Sequence, residues 1–271
     1  FIDYAPRYIN VTCHRDEYQF IQRPDGSFMR VVVKSRISEV ALCAAIMAHY
    51  KVETVPHIIC SGASKEEIYR ELDDLYYMGI DNCLALRGDL HTDASRFTHA
   101  NGGYQYASEL VEGIRDYRKE ETGRHFSIGV AGYPEKHFEA PNMETDIQNL
   151  KNKVDAGADY VVTQMFFDNK VFYSFVEKHR LAGLTVPIIP GLKPLSNAGQ
   201  IHRIPKSFSI DIPIELSDAL EHATSPDEEY EIGTDWCKKQ CRDLLNHGVP
   251  AVHFYTMGKS RNICEILKDC F

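Results

Sequence analysis

Short apolar runs alternate along the chain with longer segments in which apolar residues recur at every third or fourth position. The short runs are rich in Val, Ile and aromatic side chains, as buried strands are, and the longer segments have the period of amphipathic helices. This alternation predicts repeated βα units that build a parallel sheet. The predicted strands are residues 8–12, 55–60, 82–88, 126–133, 160–167, 186–192 and 252–257.

The segments between these strands predict helices. Ser64 and Glu67 have the spacing of a capping box, which closes the first turn of a helix. The longest polar stretches, residues 12–36 and 91–103, are predicted to be connections, the first with a turn at residues 23–26. Neither stretch marks a domain boundary, so residues 1–271 are predicted to form one domain. The predicted helices are residues 37–50, 64–78, 106–118, 143–156, 169–181, 228–247 and 260–267.

An open doubly wound sheet and a closed eight-stranded barrel both fit alternating βα units. An open sheet gathers its chemistry at one switch point, typically beside a glycine-rich first turn, and the chain has no G-x-G-x-x-G motif. A barrel carries its chemistry at the carboxyl ends of many strands. Nearly every predicted strand ends in a polar group, which favours an α/β fold of the (β/α)8 TIM barrel type that is one strand short of closure. These groups are Thr12, His57, Arg87, Asp89, Tyr133, Gln164, Lys193 and Tyr255.

The net charge and the cysteines narrow the function. A formal charge of −9 argues against a nucleic-acid-binding protein, which needs clustered Lys and Arg. No stretch is as apolar as a membrane span, and the N-terminus lacks the layout of a secretion signal, so a soluble cytoplasmic protein is expected. The eight cysteines are too sparse for a disulfide scaffold, and Cys43, Cys60 and Cys83 lie in apolar runs typical of reduced core thiols. Cys237 and Cys241 lack a second ligand pair nearby, and no metal site is predicted.

Two segments after predicted strands carry candidate chemistry. Arg87-Gly88-Asp89 places a cation, a flexible glycine and an anion at one strand exit, although a plain surface turn fits the same residues. Residues 132–140 place an aromatic residue, a histidine and two carboxylates on one loop, and loops of this kind usually bind a ligand.

Single polar residues in apolar surroundings are further candidates. His57 lies in an apolar strand, where a satisfied core histidine is more common than a ligand contact. Gln164 is an isolated amide among apolar residues, and burying an unpaired amide costs about 1 to 3 kcal/mol, so we expect it to have a partner. The helix predicted over residues 143–156 has a polar stripe that is either a solvated face or the lining of a ribose and pyrophosphate site. The stripe is Asp146, Asn149 and Lys153.

Together the motifs resemble those of one family, the methylenetetrahydrofolate reductases, along nearly the whole chain. Each motif is short, and it is their common order and spacing that makes the resemblance specific. They are Val11-Thr12, Pro56-His57, Leu86-Arg87-Gly88-Asp89, Tyr106-Ala107-Ser108, Tyr133-Pro134-Glu135, His137, Glu139-Ala140, residues 153–158, Thr163-Gln164, Ile189-Pro190-Gly191 and His253-Phe254-Tyr255-Thr256.

The resemblance implies a flavoenzyme. NADH or NADPH would reduce FAD, and flavin N5 would then pass a hydride to 5,10-methylenetetrahydrofolate in a ping-pong reaction that gives 5-methyltetrahydrofolate. Asp89 would tune the flavin near N1 and contact the pterin ring. The resemblance is to the bacterial single-domain type, which implies a homo-oligomer, a leaning towards NADH and no inhibition by S-adenosylmethionine.

The site residues follow from the resemblance by matched position. The implied FAD contacts are Thr12, Cys13, His57, Arg87, Gly88, Asp89, Tyr106, Ala107, Tyr133, His137, Phe138, Glu139, Ala140, Asp146, Asn149 and Lys153. The implied folate contacts are Asp89, Gln164, Gln200, Tyr255 and Lys259.

Two departures from the family pattern bear on activity. Lys259 stands where the family has an arginine, which keeps the charge and loses the bidentate fork for the glutamate tail of folate. The family's opening strand, whose glutamate is the general acid, and the helix after it are absent from the sequence. The chain shown is therefore expected to hold flavin and transfer hydride but to lack the group that activates folate. Two explanations fit: the sequence has lost the first segment of a longer chain, which we favour, or the natural chain dispenses with it. In the second case we expect a barrel with two open edges that is poorly stable and reduces little folate.

Two other interpretations stay open. The (β/α)8 fold hosts many chemistries, so another cofactor-using barrel enzyme fits the same pattern. A flavin- or folate-binding barrel without full activity fits if the glutamate is missing from the natural protein.

Overall fold

The computed structural model describes residues 2–13, 17–34, 37–88, 102–117, 123 and 125–271. The chain divides into two compact units, which we call the N-terminal unit (residues 6–127) and the C-terminal unit (residues 1–5 and 128–271). Asp89 and most of the predicted 91–103 connection lie outside the described residues.

Three strands of the N-terminal unit pair in parallel, and the second and third strands of the chain are not among them. Its first strand pairs with its fourth, Tyr8 opposite Glu53, and the fourth pairs with the fifth, His57 opposite Leu84. The predicted capping box is confirmed, because Ser64 Oγ accepts from Glu67 N and the Glu67 carboxylate accepts from Ser64 N. The elements are β1 (Tyr8–Val11), β2 (Glu17–Gln22), β3 (Phe28–Lys34), α1 (Glu39–Tyr50), β4 (Glu53–Ile59), α2 (Lys65–Tyr77), β5 (Asn82–Leu86) and α3 (Ala107–Asp116).

The prediction that residues 12–36 form a plain connection is wrong, because β2 and β3 pair there as an antiparallel hairpin. The predicted turn at residues 23–26 is confirmed as the tip of this hairpin. Gly26 N donates to Arg23 O at 2.9 Å, and the Asp25 carboxylate accepts from Ser27 N. Gly26 has a φ of 83°, which glycine adopts without strain. The hairpin forms a separate two-stranded sheet. The prediction missed it because it relied on strands that alternate with helices, and no helix lies between β2 and β3.

The C-terminal unit continues the parallel pattern. Gly129 lies opposite Tyr160, Val161 opposite Ile188 and Gly191 opposite His253 in successive strand pairs. Its elements are a short 3-10 helix (Ile2–Tyr4), β6 (Ser127–Gly132), α4 (Met143–Asp155), β7 (Tyr160–Met165), α5 (Asn169–Leu181), β8 (Ile188–Leu192), α6 (Gln200–Phe208), α7 (Ile214–Glu221), α8 (Pro226–Asn246), β9 (His253–Phe254) and α9 (Arg261–Cys270).

Helices α6 and α7 were not predicted. Both are short, Pro205 lies inside α6, and Pro213 immediately precedes α7, so the local sequence reads as a connection. Packing explains why they form: Ile201 and Ile204 of α6 and Leu216 of α7 belong to one buried cluster with Met165 and Phe167. Short helices depend on such tertiary contacts more than on their own propensity.

The apolar runs that predict the parallel strands are buried in the structure. Every residue of β8 is buried, as expected for a strand covered on both faces. Cys43, Cys60 and Cys83 are fully buried, as predicted. The α/β class is confirmed, and within each unit the predicted strands pair in parallel. Among these residues, no helix combines the length and the apolar character that crossing a membrane requires.

Candidate functional site

The loop between β6 and α4, residues 133–140, is called the histidine loop here. Its backbone makes two tight turns, with Lys136 N donating to Tyr133 O and Ala140 N donating to His137 O, both at 3.0 Å. Lys136 has a φ of 77°, which is strained for a residue with a Cβ. Its ammonium donates to the carbonyls of His137 and Ala140 and so stabilises the fold of the loop.

The rings of the histidine loop pack on one another. His137 meets Tyr133 edge to face at a centroid distance of 4.6 Å and stacks on Phe138 at 4.7 Å. His137 Nδ1 accepts from Glu139 N at 3.2 Å, so the proton of the neutral ring lies on Nε2. Phe138 is 58% exposed. The loop therefore offers an ordered aromatic surface.

Helix α4 holds the histidine loop through charged side chains. Asn142 caps the helix by accepting from Thr145 N at 2.8 Å. Asp146 in the first turn is 6% exposed, and its carboxylate accepts from His137 N at 3.2 Å. Two turns later, Lys153 Nζ donates to Ala131 O at 2.6 Å and lies 5.8 Å from the centroid of the Tyr133 ring.

Only two of the three residues in the predicted polar stripe of α4 contact the loop or the strand before it. Asp146 and Lys153 contact β6 or the histidine loop, whereas Asn149 is exposed. The carboxylate contacts the loop at His137, and the ammonium lies near the loop at Tyr133. Such a pair can contact hydroxyl groups and an anion of the same ligand.

Glu135 is a residue of the histidine loop that the sequence did not single out as a site residue. Its carboxylate accepts from Asp211 N at 2.6 Å, which ties the loop to the segment before α7. Burial, and then the charges of Asp211 and Asp168, raise the pKa of Glu135 to about 7, against the effect of that hydrogen bond. The sequence had pointed to Glu135 only as one of the two carboxylates of this loop and as part of the motif Tyr133-Pro134-Glu135.

We predict that Glu135 makes stability depend on pH. The unfolded carboxyl titrates near pH 4.3, and the folded pKa is about 7. Between these values the folded chain binds the extra proton, so the stability that Glu135 contributes is lost as pH rises. Glu135→Gln keeps the acceptor for Asp211 N and never ionises. Urea unfolding of both proteins from pH 5 to 8 should show the variant gaining stability over the wild type with rising pH. A constant difference would contradict the raised pKa.

The carboxyl ends of β7, β8 and β9 meet around Thr163. Thr163 Oγ1 accepts from Gly191 N, and Thr163 O accepts from the Tyr255 hydroxyl, both at 2.9 Å. Tyr255 N donates to Leu192 O at 2.9 Å. Tyr255 is thus fixed by its backbone and by its hydroxyl, and its ring packs against Gly191.

The predicted amides near these strand ends are ordered. Gln164 is half-buried, and its Oε1 accepts from Met165 N at 3.0 Å, which supplies the partner expected for its carbonyl. Gln200, at the start of α6, is 7% exposed, and its Oε1 accepts from Ser196 N at 2.6 Å. In both cases the amide oxygen is satisfied by the backbone, which orients the NH2 group. Lys259 is exposed in the loop after β9.

In the N-terminal unit, Gly88 permits a close approach of two strand ends. It has a φ of 91°, and a Cβ at this position would lie 2.9 Å from the Cβ of Ser61. Ser61 N donates to Arg87 O at 2.9 Å, which continues the pairing of β4 and β5 past their ends. Arg87 is half-buried beside Gly88. The Arg87-Gly88 segment is therefore a constrained strand exit.

The remaining predicted residues of this unit lie at element ends or within a strand. Tyr106, which is 51% exposed, precedes Ala107 at the N-terminus of α3. The Cys60 thiol, which the sequence suggested only as a core residue, donates to Tyr106 O at 3.6 Å and so joins the end of β4 to α3. Thr12 is exposed and Cys13 half-buried after β1, and His57 is half-buried within β4.

The cysteines are all free thiols. Burial raises the pKa of Cys237 and of Cys241, which disfavours the thiolate that binds metals. Within the described ranges, no group of three or more His, Cys, Asp and Glu side chains is placed to hold a metal ion.

Comparison with known sequences gives a consistent result. The family model for Methylenetetrahydrofolate reductase matches residues 3–270. Methylenetetrahydrofolate reductase 2 of Saccharomyces cerevisiae is 38% identical over 231 residues, which are 84% of this chain and 38% of the yeast protein. The 5,10-methylenetetrahydrofolate reductase of Salmonella typhimurium is 33% identical over 220 residues, which are 80% of this chain and 70% of that protein. The chain thus spans little more than a third of the yeast protein's length.

Comparison with solved structures concerns the fold. A Clostridium thermocellum protein, described as binding two copies of 5-methyl-5,6,7,8-tetrahydrofolic acid, aligns with a TM-score of 0.54 and 16% identity, over 83% of this chain and 76% of that chain. At this identity the likeness shows the fold alone, in agreement with the α/β class. On the match of the family model to nearly all of its length, the chain belongs to the methylenetetrahydrofolate reductase family.

Proposed function

We propose that the chain is the catalytic region of an enzyme that reduces 5,10-methylenetetrahydrofolate to 5-methyltetrahydrofolate with FAD and NADH or NADPH. The family supports the overall reaction. The observation that carries the proposal within the structure is the histidine loop with Asp146 and Lys153. This arrangement sets a cation, a buried carboxylate and packed rings on one strand exit.

These residues fit the chemistry of a dinucleotide. Lys153 would place its ammonium against the pyrophosphate, since its hydrogen bond to Ala131 O fixes the direction of the side chain. Asp146 would accept from ribose hydroxyl groups with the lone pairs that His137 N leaves open. Tyr133, His137 and Phe138 would pack on the cofactor, with Glu139 and buried Ala140 completing the loop. Asn149, which is exposed, is proposed as a contact on the resemblance alone.

The carboxyl ends of β7 to β9 are proposed to bind folate. Gln164 and Gln200 would donate from their NH2 groups, because their amide oxygens already accept backbone hydrogen bonds. Tyr255, held by Thr163 O, would form a rigid wall of the pterin site. Lys259 would pair with a carboxylate of the glutamate tail.

The contacts in the N-terminal unit are proposed on the family resemblance and the constrained strand exit at Arg87-Gly88. Arg87 would contact phosphate oxygens, and Asp89, beyond the described residues, would tune the flavin and contact the pterin. The other proposed FAD contacts of this unit are Thr12, Cys13, His57, Gly88, Tyr106 and Ala107.

When bound, FAD would take a hydride from the nicotinamide and deliver it to the methylene carbon of the folate. The chain's own part is to hold both partners and to exclude water from the reacting atoms. The choice between NADH and NADPH, a homo-oligomeric assembly and a cytoplasmic location are proposed on the same resemblance.

The proposal is tested with the full-length protein. We expect this protein to bind FAD. NADH and NADPH are then added in separate experiments without oxygen, and we expect at least one of them to bleach the flavin absorbance. The donor that bleaches it faster is the physiological one. A protein that takes up no flavin would instead support another barrel enzyme. A protein that binds flavin which neither donor bleaches would support a binding module.

A further inference from the structure

Lys193 has a mostly buried side chain, and the described residues leave its ammonium without a counter-ion. It follows β8 directly, is 9% exposed and belongs to the few buried charged residues of the described chain. In the described part of the structure, no hydrogen bond or ion pair joins its ammonium to another residue. Burying an unpaired charge is costly, and proteins keep such groups where a ligand provides the partner.

The charged residues near Lys193 add to this cost. Burial is the main effect that lowers its pKa, and the positive charges of Lys259 and Arg203 lower the pKa further. Lys259 and Arg203 are exposed, and neither forms an ion pair with another described residue. In a protein with a net charge of −9, Lys259 and Arg203 thus lie close enough to Lys193 to affect its pKa, and none of the three forms an ion pair with another described residue.

Lys193 also lies among the proposed folate contacts. Its neighbour Leu192 accepts from Tyr255 N at 2.9 Å, so Lys193 lies beside Tyr255 at the ends of β8 and β9. Arg203 lies one turn after Gln200 on α6, and residues three apart share a helix face. Lys193 was noted in the sequence only as a polar group at a strand end, without a partner or ligand.

We propose that Lys193 is a substrate-specificity residue whose ammonium pairs with a carboxylate of the glutamate tail of folate, next to the carboxylate taken by Lys259. The inference rests on the proposed function, since it assigns a ligand at the folate site. Two single-point cations, Lys193 and Lys259, then recognise the two carboxylates of one glutamate. This arrangement also compensates for the bidentate fork that Lys259 lacks.

The test compares binding of 5-methyltetrahydrofolate with binding of the primary amide of 5-methyltetrahydropteroate, called the pteroate here, in which an NH2 group replaces the glutamate so that no carboxylate remains. Calorimetry on the full-length protein should show Lys193→Met weakening the folate by about tenfold, the effect of one charge-assisted hydrogen bond. The affinity for the pteroate should not change. Lys206→Met is the matched control, because it removes an exposed positive charge from the same helix as Arg203 and should leave both affinities unchanged.

A second readout separates a ligand-binding lysine from a structural one. Without ligand, urea should unfold Lys193→Met at the same or a higher concentration than the wild type, because methionine fills the site without a buried charge. A lower midpoint would indicate a structural lysine and would overturn the inference. Lys193→Gln provides a smaller change if the methionine variant does not fold, and the same loss of folate affinity is expected.

The outcomes distinguish the inference from the proposed function. Equal affinity of Lys193→Met and wild type for the folate would overturn the inference alone. A loss of NADPH affinity with unchanged folate affinity would also overturn it, because the anion would then be a phosphate. A wild-type protein that binds neither the folate nor the pteroate would overturn the proposed function as well.

Discussion

Gly191→Ala is expected to lower the free energy of unfolding by about 3 kcal/mol, the upper range for overpacking a tight core. A Cβ at Gly191 would overlap the carbonyl oxygen of Thr163 and lie 2.7 Å from the ring of Tyr255. The carbonyl is backbone and belongs to β7, so it cannot move aside as a flexible side chain can. Tyr255 would have to leave its hydrogen bond to Thr163 O, and folate binding should fail together with stability.

The matched control is Gly199→Ala. Gly199 precedes α6 with a φ of −59°, and the nearest atom to an added Cβ is Asn197 Oδ1 at 3.4 Å. Alanine fits this conformation, so stability should change by less than about 0.5 kcal/mol. Urea unfolding measures both variants. Equal stability of the two would show that the close packing of β7, β8 and Tyr255 does not hold.

Lys153→Met is expected to weaken FAD binding by roughly thirtyfold, or about 2 kcal/mol, the usual contribution of a hydrogen bond to a charged group. The ammonium donates to Ala131 O and lies beside Tyr133, where a pyrophosphate would need a cation. Methionine keeps the length of the side chain and its contacts along the helix, so the loss should concern the charge. Fluorescence titration of the apoprotein with FAD gives the dissociation constant.

Lys151→Met is the control for Lys153. Lys151 lies on the same helix and pairs with Asp155 at 3.0 Å, with 35% and 59% of the two side chains exposed. Such surface pairs contribute little, so FAD affinity should stay within twofold of the wild type. If both lysine variants weakened FAD equally, a general loss of positive charge would explain the result and the assignment of Lys153 would fail.

The parallel strands were predictable because each is a short buried run between helical segments. β7 and β8 were found in the sequence to within a few residues, since Val161, Val162, Ile188 and Ile189 are all buried. Strand ends were less predictable. The run at residues 252–257 predicts six residues of strand, whereas β9 pairs only at His253 and Phe254. Hydrogen bonding to a neighbouring strand, which defines the end, leaves no mark in local composition.

The sequence predicted which residues belong to the candidate site, but it did not predict the contacts between them. The family pattern pointed to His137, Asp146 and Lys153, and the structure adds the hydrogen bonds that join them to the loop and to β6. Glu135 and Lys193 were noted in the sequence, but their environments were not predictable, because burial beside like charges depends on residues of other elements. Helix α6, which carries Gln200, escaped because tertiary packing overrides its proline.

The folate half-reaction of the full-length protein distinguishes a folate reductase from a barrel that only binds flavin. The bound flavin is reduced photochemically without oxygen and then mixed with 5,10-methylenetetrahydrofolate. We expect the flavin absorbance to return and 5-methyltetrahydrofolate to form in an amount equal to the flavin reoxidised. A reduced flavin that stays bleached in the presence of the folate, or that is reoxidised without forming 5-methyltetrahydrofolate, would contradict the proposed function.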